Sequence, residues 1–312
     1  MSHERALLGW PAQFVLLSAI WGSSFMFIKV LDERWPPLWV ALGRVTFGAL
    51  TLLVIAWASR ARLSAEPRMW LHCAVVAVLF NAAPFTLFAY GEHHTSSIVA
   101  GLWNATTPLW VLIISLIAFG QERPTRARVA GLALGFAGVA LLLGPWRGIG
   151  GGALTGQLAC AAAAFCYGLG FPYTRRFLSS RPEGGVALSA MQLVCATAML
   201  ALFIPLSRGP TLHLSWQAVG SLLALGILGS GVAYALNFAI VRAKGAGVAS
   251  TVTYLIPVFA TILGVAVLGE PVEWNQPVGT SLLLAGIAMS QGRLRLPGPV
   301  AVAVRSGGGG VR

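Results

Sequence analysis

Apolar residues in this chain come in ten long runs, separated by breaks that carry charge, proline or glycine. Each run spans about 18 to 25 residues and is nearly free of charge, enough at about 1.5 Å per helical residue to cross roughly 30 Å of hydrocarbon. The runs predict helices over 11–30, 37–57, 69–90, 95–119, 126–144, 156–176, 186–206, 215–240, 246–268 and 275–291. Long breaks fall only at GPWRGIGGGALTG, residues 144–156, and beyond Arg293, where the chain ends SGGGGVR. The chain therefore divides into a short polar N-terminus (1–10), five helices (11–145), a linker (146–155), five more helices (156–291) and a tail (292–312) expected to be disordered. The first run continues past Phe27 without a small-residue cleavage site, so it reads as a retained helix and not a signal peptide.

Composition agrees with this pattern. Of 312 residues 57% are hydrophobic and 10% charged, whereas soluble domains carry about 25% charged residues. The net charge of +12 does not imply nucleic acid, because the basic residues sit in small clusters between apolar runs and form no basic face of a polar chain. They read as topology determinants. With the N-terminus inside, sixteen Lys and Arg fall on the cytoplasmic side and five elsewhere, which predicts both termini in the cytoplasm and a multi-pass protein of a bacterial-type inner membrane. Cys73, Cys160, Cys166 and Cys195 lie inside apolar runs without metal-ligand spacing, so neither metal nor cofactor is implied. Walker A, HExxH and GxSxG sequences are absent, which argues against an enzyme.

The second half repeats the first. Trp21, Gly22, Phe25 and Lys29 align with Tyr167, Gly168, Phe171 and Arg175 at an offset of 146. Ala100 and Pro108 align with Ala249 and Pro257 at 149, and Glu122, Gly131 and Gly138 with Glu270, Gly279 and Gly286 at 148. A repeat of five helices must insert the second copy from the opposite side. The expected fold class is thus an all-α integral membrane protein, ten transmembrane helices in two inverted five-helix repeats, an arrangement suited to alternating exposure of a central site.

These residues resemble the drug/metabolite transporter superfamily, in particular its EamA-type ten-helix members. The resemblance rests on AIWGSSFMFIK in the first helix, ALGRVTFGAL around Arg44, AGLWNATTPLWVLIISLIAFGQERPT in the fourth helix and AGVASTVTYLIPVFATILGVAVLGEP in the ninth, and it covers about residues 11–291. It implies a cavity between the halves and export or uptake of small metabolites, amino acids included. Arg44 departs from the symmetry, since the aligned residue is Ala190.

Polar side chains within a span are costly and face the protein interior. Trp21, Asn81, Asn104, Tyr167, Tyr234, Asn237 and Tyr254 are the deep candidates for lining a substrate cavity, aromatic faces and amides that suit neutral or zwitterionic amphiphiles; each also reads as a packed core residue or an interhelical hydrogen bond. Arg44, about 10 Å into the second helix, reads either as a contact for a substrate carboxylate or a gate salt bridge, or as a structural partner of Asp32 or Glu33 or a side chain snorkelling to the headgroups. Lys29 and Arg175, at equivalent helix ends, are gates or interface anchors. Glu92, in the sequence Glu92-His93-His94, is a charge candidate at the end of the third helix, read either as a proton-linked group or as an exposed loop cluster. No acid falls at mid-helix, which disfavours a proton pump built on a midplane carboxylate. Pro108 and Pro257 are predicted kinks inside the fourth and ninth helices. Gly131, Gly135, Gly138, Gly279 and Gly286 mark close-packing faces, inside the bundle or in a homodimer. The expected partners are a small-molecule substrate and membrane lipid. The leading function is a secondary transporter, an exporter or exchanger of a small neutral or zwitterionic metabolite; the alternatives are a nucleotide-sugar or lipid-linked sugar carrier, and a non-transporting sensor or structural protein.

Overall fold

The computed structural model describes residues 9–32, 35–118, 125–144, 152–178, 181–207, 209, 215–244, 246–292 and 294. The expected disordered tail, most of the linker, Glu33 and Glu122 lie outside the described residues. Every predicted apolar run is helical: α1 (Trp10–Asp32), α2 (Pro37–Ala58), α3 (Pro67–His94), α4 (Ser97–Ile117), α5 (Arg126–Leu143), α6 (Gly152–Phe177), α7 (Gly185–Phe203), α8 (Trp216–Lys244), α9 (246–268) and α10 (Asn275–Ser290). No strand occurs among the described residues. α1, α2, α3, α4, α6, α7 and α8 are long and apolar enough to cross a membrane. The linker is shorter than predicted, because α6 starts at Gly152 and takes residues 152–155 into its first turn.

Local chemistry sets the helix ends. Pro37 and Pro67 open α2 and α3, where a missing N–H costs nothing. The hydroxyls of Ser96, Thr125 and Ser215 accept from Val99, Arg128 and Ala218 to cap α4, α5 and α8. Gly144 and Gly269, at φ 58° and 66°, end α5 and α9 in the left-handed region that favours glycine.

Four helices are irregular, in two pairs. α3 contains a π-helical turn at Val78–Ala82, and α8 a longer one at Ala224–Val232. α4 breaks at Ala105 and Thr106, and α9 passes through a 3-10 stretch at Ser250–Tyr254. Pro108 and Pro257 are therefore not kinks inside continuous helices, as predicted; each stands in the first turn of the segment after the break, where its missing N–H leaves no gap in the ladder.

Apolar side chains from both halves share one core: Leu17, Phe25, Phe88, Trp103 and Leu109 pack with Ala233, Ile256 and Leu283. Outside, Leu50, Val54, Trp57, Ile117 and Leu202 are exposed, as lipid-facing positions would be. The glycine series is consumed within the chain. A Cβ at Gly286 would lie 2.5 Å from the Gly131 carbonyl, and one at Gly138 would lie 2.6 Å from that of Gly279, so α5 and α10 touch backbone to backbone.

Candidate functional site

The π turns place polar groups at the middle of their helices. Widening one turn leaves a carbonyl free of the regular ladder, and in α8 the Gly229 carbonyl accepts the Trp21 indole N–H at 3.2 Å. One residue on, the Ser230 hydroxyl accepts from Nε of Arg44 at 3.1 Å. In α3 the π turn carries Asn81, fully buried, whose amide donates to the Tyr234 hydroxyl at 2.7 Å and accepts from the Gln192 amide. Trp21 meets Tyr234 edge to face, with ring centroids 6.5 Å apart. The Phe85 ring lies under the Arg44 guanidinium, 3.8 Å from centroid to Cζ. Tyr167 closes another side, stacked on Phe80 at 5.8 Å and tilted against Phe88 at 6.0 Å.

Five predicted residues thus meet in one cluster: Trp21, Arg44, Asn81, Tyr167 and Tyr234. They come from α1, α2, α3, α6 and α8. Trp21, Tyr167 and Tyr234 are half-buried, whereas Arg44, Asn81 and Ser230 beside them are buried. Asn104 ends the first segment of α4, 7% exposed, and Asn237 lies half-buried two turns from Ser230; neither joins this hydrogen-bonded network. Tyr254 packs against the shared apolar core. The sequence reading missed Gln192, Ser230 and Phe85. Gln192 carried a signal, being an amide in the middle of an apolar run; Ser230 and Phe85 are ordinary residues of a membrane helix and carried none.

Arg44 does not pair with Asp32, one of its two predicted structural partners. Asp32 is taken by Lys29 at 3.5 Å and by His93 Nδ1 at 2.9 Å. Lys29 also donates to the carbonyls of Glu92 and Thr95, tying the end of α1 to the end of α3. Glu92 is no exposed loop residue. It is 0% exposed, and neither carboxyl oxygen has a hydrogen-bond partner, because the last turn of α3 turns it inward while His93 and His94 face out. At the opposite end of the bundle His72 Nδ1 and the Tyr173 hydroxyl are 2.8 Å apart, and Arg175 is exposed in the last turn of α6.

A second carboxylate has a structural task. Glu270, following α9, accepts from the backbone N–H groups of Ser97 and Ile98 at 2.9 and 3.1 Å and from the Ser97 hydroxyl at 2.9 Å, capping α4 from the other half of the chain. Surface grooves of about 600 and 300 Å³ lie along α2, at Ala56–Arg62 and beside Ile227. Neither includes a residue of the cluster.

Polar and aromatic groups gathered at mid-helix inside a bundle with an apolar exterior are the interior of a multi-pass membrane transporter. The profile of the EamA-like transporter family matches this chain twice, over residues 9–144 and 154–291. The chain belongs to the EamA-like transporter family, and is a transporter and not an enzyme. It is 26% identical to the uncharacterized transporter YoaV of Bacillus subtilis over 88% of this chain and 94% of that one. It is 27% identical to the uncharacterized inner membrane transporter YedA of Escherichia coli over 86% and 87% of the two chains. A WAT1-related chloroplastic protein of Arabidopsis thaliana is 28% identical over 91% of this chain and 69% of its own. A crystal structure superposes with a TM-score of 0.64 at 21% identity, covering 90% of this chain and 96% of the other, a likeness of fold.

Proposed function

We propose that this protein is a secondary transporter of the inner membrane that exports or exchanges a small neutral or zwitterionic metabolite, such as an amino acid, by alternating access. All ten helices cross the bilayer, the two five-helix halves have opposite topology, and both termini are cytoplasmic. The observation that carries this reading is the mid-helix cluster to which both halves contribute through π turns at corresponding places, Val78–Ala82 in α3 and Ala224–Val232 in α8. Two helices distorted at the same depth leave a polar patch on either side of one site, and a site held between two halves can be exposed by rocking them. Lys29, bound to Asp32 and to two carbonyls of the neighbouring helix end, is the gate on one face; Arg175 marks the equivalent place on the other. Among the described residues Arg44 is the only basic side chain in the cluster, which suits a metabolite better than a nucleotide diphosphate.

Flux in proteoliposomes tests this. Purified protein reconstituted with radiolabelled amino acids inside should give saturable efflux and counterflow that protein-free liposomes lack. Protein that is folded, as judged by a cooperative melt, yet moves none of them and no other small metabolite would return the sensor or structural reading.

A further inference from the structure

Besides Glu92, a second incompletely satisfied charge in the interior is Arg44. It is 7% exposed, and a charge removed from water needs a counter-charge or a full set of hydrogen bonds. The protein supplies a small part of that: Ser230 accepts from Nε, Phe85 offers its face, and the buried Glu92 carboxyl attracts the guanidinium from beyond ion-pair distance. No carboxylate among the described residues lies within ion-pair distance, and the terminal guanidinium nitrogens have no acceptor there. One of them lies 3.7 Å from where a Cβ on Gly229 would stand, beside the carbonyl that holds Trp21. That nitrogen is thus beside the Gly229 turn on which Trp21 is held. A guanidinium fixed through Nε and stacked on a ring presents its two outer N–H pairs as a preformed fork for a carboxylate.

We propose that Arg44 binds the carboxylate of the transported molecule, which makes a carboxylate-bearing organic molecule the substrate class. This rests on the transporter reading and narrows it. Neutralisation by substrate explains why the charge is tolerated at this depth. The symmetry agrees: the aligned residue is Ala190, so the site has one cation for one anionic group. Trp21 and Tyr234 then offer aromatic faces to the apolar body of the molecule, and Asn81 and Gln192 are the amides of the same network.

The test is thermal stabilisation of the full chain in detergent with matched probes: each of the twenty L-amino acids, 3-phenylpropionate, hexanoate and benzoate, against the corresponding amides, with sodium chloride titrated separately. The expected result is stabilisation by at least one carboxylate and not by its amide. Arg44→Gln should weaken that binding by about 10- to 100-fold, the range for a lost hydrogen-bonded charge pair, while Arg44→Lys retains part of it. Ser230→Ala, which keeps the charge and frees Nε, should weaken it less. Each variant is compared with its own ligand-free melt and elution, and the milder Ser230→Ala keeps the test alive if Arg44→Gln does not fold. Equal binding of an amide and its acid, undiminished binding by Arg44→Gln, Arg44-dependent stabilisation by chloride alone, or a panel with no carboxylate hit overturns the proposal. Flux of the same probes separates the two claims. Saturable flux of a neutral compound, unaffected by Arg44→Gln, leaves transport standing and removes the carboxylate; Arg44-dependent binding without flux does the reverse.

Discussion

Replacing Gly286 with alanine adds one methyl group where two backbones touch. Its Cβ would sit 2.5 Å from the Gly131 carbonyl oxygen, 2.5 Å from the Gly135 nitrogen and 2.8 Å from the Gly135 Cα. An ordinary contact begins about 0.9 Å further out, and all three atoms are backbone, so no side chain can swing aside and α5 and α10 must separate. Overpacking of this kind costs about 1–3 kcal/mol. With an unfolding entropy of about 2.1 cal/mol/K per residue, roughly 0.65 kcal/mol/K for this chain, that is a fall in Tm of about 2–5 °C. The assay is a melt of purified protein in detergent, with Gly220→Ala as control, because a Cβ there meets nothing within 4 Å. The control should melt at or slightly above the wild-type temperature, since alanine is the better helix former. If Gly286→Ala melts like wild type, α5 and α10 are not in backbone contact. If it changes the oligomeric state instead, the glycine faces serve a dimer, and the intramolecular assignment is wrong.

Three further predictions follow from the site and its supports. Asn81→Leu leaves the Tyr234 hydroxyl and the Gln192 amide without their partner, a loss of about 1–3 kcal/mol that should appear as a lower Tm, with Asn81→Asp less damaging to the fold. Glu270→Ala removes three hydrogen bonds at the start of α4 and should cost about 1–2 kcal/mol; Glu270→Gln, which keeps acceptors, should melt closer to wild type. With the four native cysteines replaced, Ser64→Cys should label with an impermeant maleimide only from the cytoplasmic side and Ser207→Cys only from outside; labelling of both from one side would end the proposed topology.

The helices were legible in the sequence because an apolar run of bilayer length is a strong signal, and predicted and observed ends agree within a few residues for α1, α2, α5 and α10. The cluster was legible in part. Trp21, Asn81, Tyr167 and Tyr234 stood out as polar or aromatic groups within apolar runs, and Arg44 as a charge without a repeat partner. The π turns were not legible. Neither VLFNA nor ALGILGSGV contains proline, and a widened turn arises from tertiary contacts, here Asn81 with Gln192 and Gly229 with Trp21. Glu92 was misplaced for a related reason: at a helix end, one turn decides between solvent and interior, and only the packing of α3 against α6, where Gly91 meets Cys160, turns that carboxyl inward.

The same contact shows how the interior is held together. In a membrane the hydrophobic effect gives helices little reason to prefer one another over lipid, so close packing and polar contacts must do so. Here the balance of the two differs by place, although glycines also bring α2 and α8 together, where a Cβ on Gly48 would lie 2.7 Å from the Ser230 side chain. α5 and α10 touch backbone to backbone at their glycines, with the Asn275 amide donating to the Leu141 and Leu142 carbonyls at one end of the seam, and this pair has no member in the cluster. The helices that form the cluster instead meet through Trp21, Arg44, Asn81, Gln192, Ser230 and Tyr234, bonds that are individually worth about 1 kcal/mol and are easily exchanged for bonds to a ligand. A joint in which backbone packs on backbone leaves no room for a ligand to enter; a joint made of side-chain hydrogen bonds beside a ligand site can be reset by whatever enters it. On the alternating-access reading proposed above, substrate is expected to act on the interface around Arg44 while the glycine seam between α5 and α10 moves as a unit. A disulfide across that seam, from Ala130→Cys or Leu134→Cys to a cysteine introduced on α10, should leave flux intact, whereas a cross-link between α1 and α8 beside Trp21 should stop it.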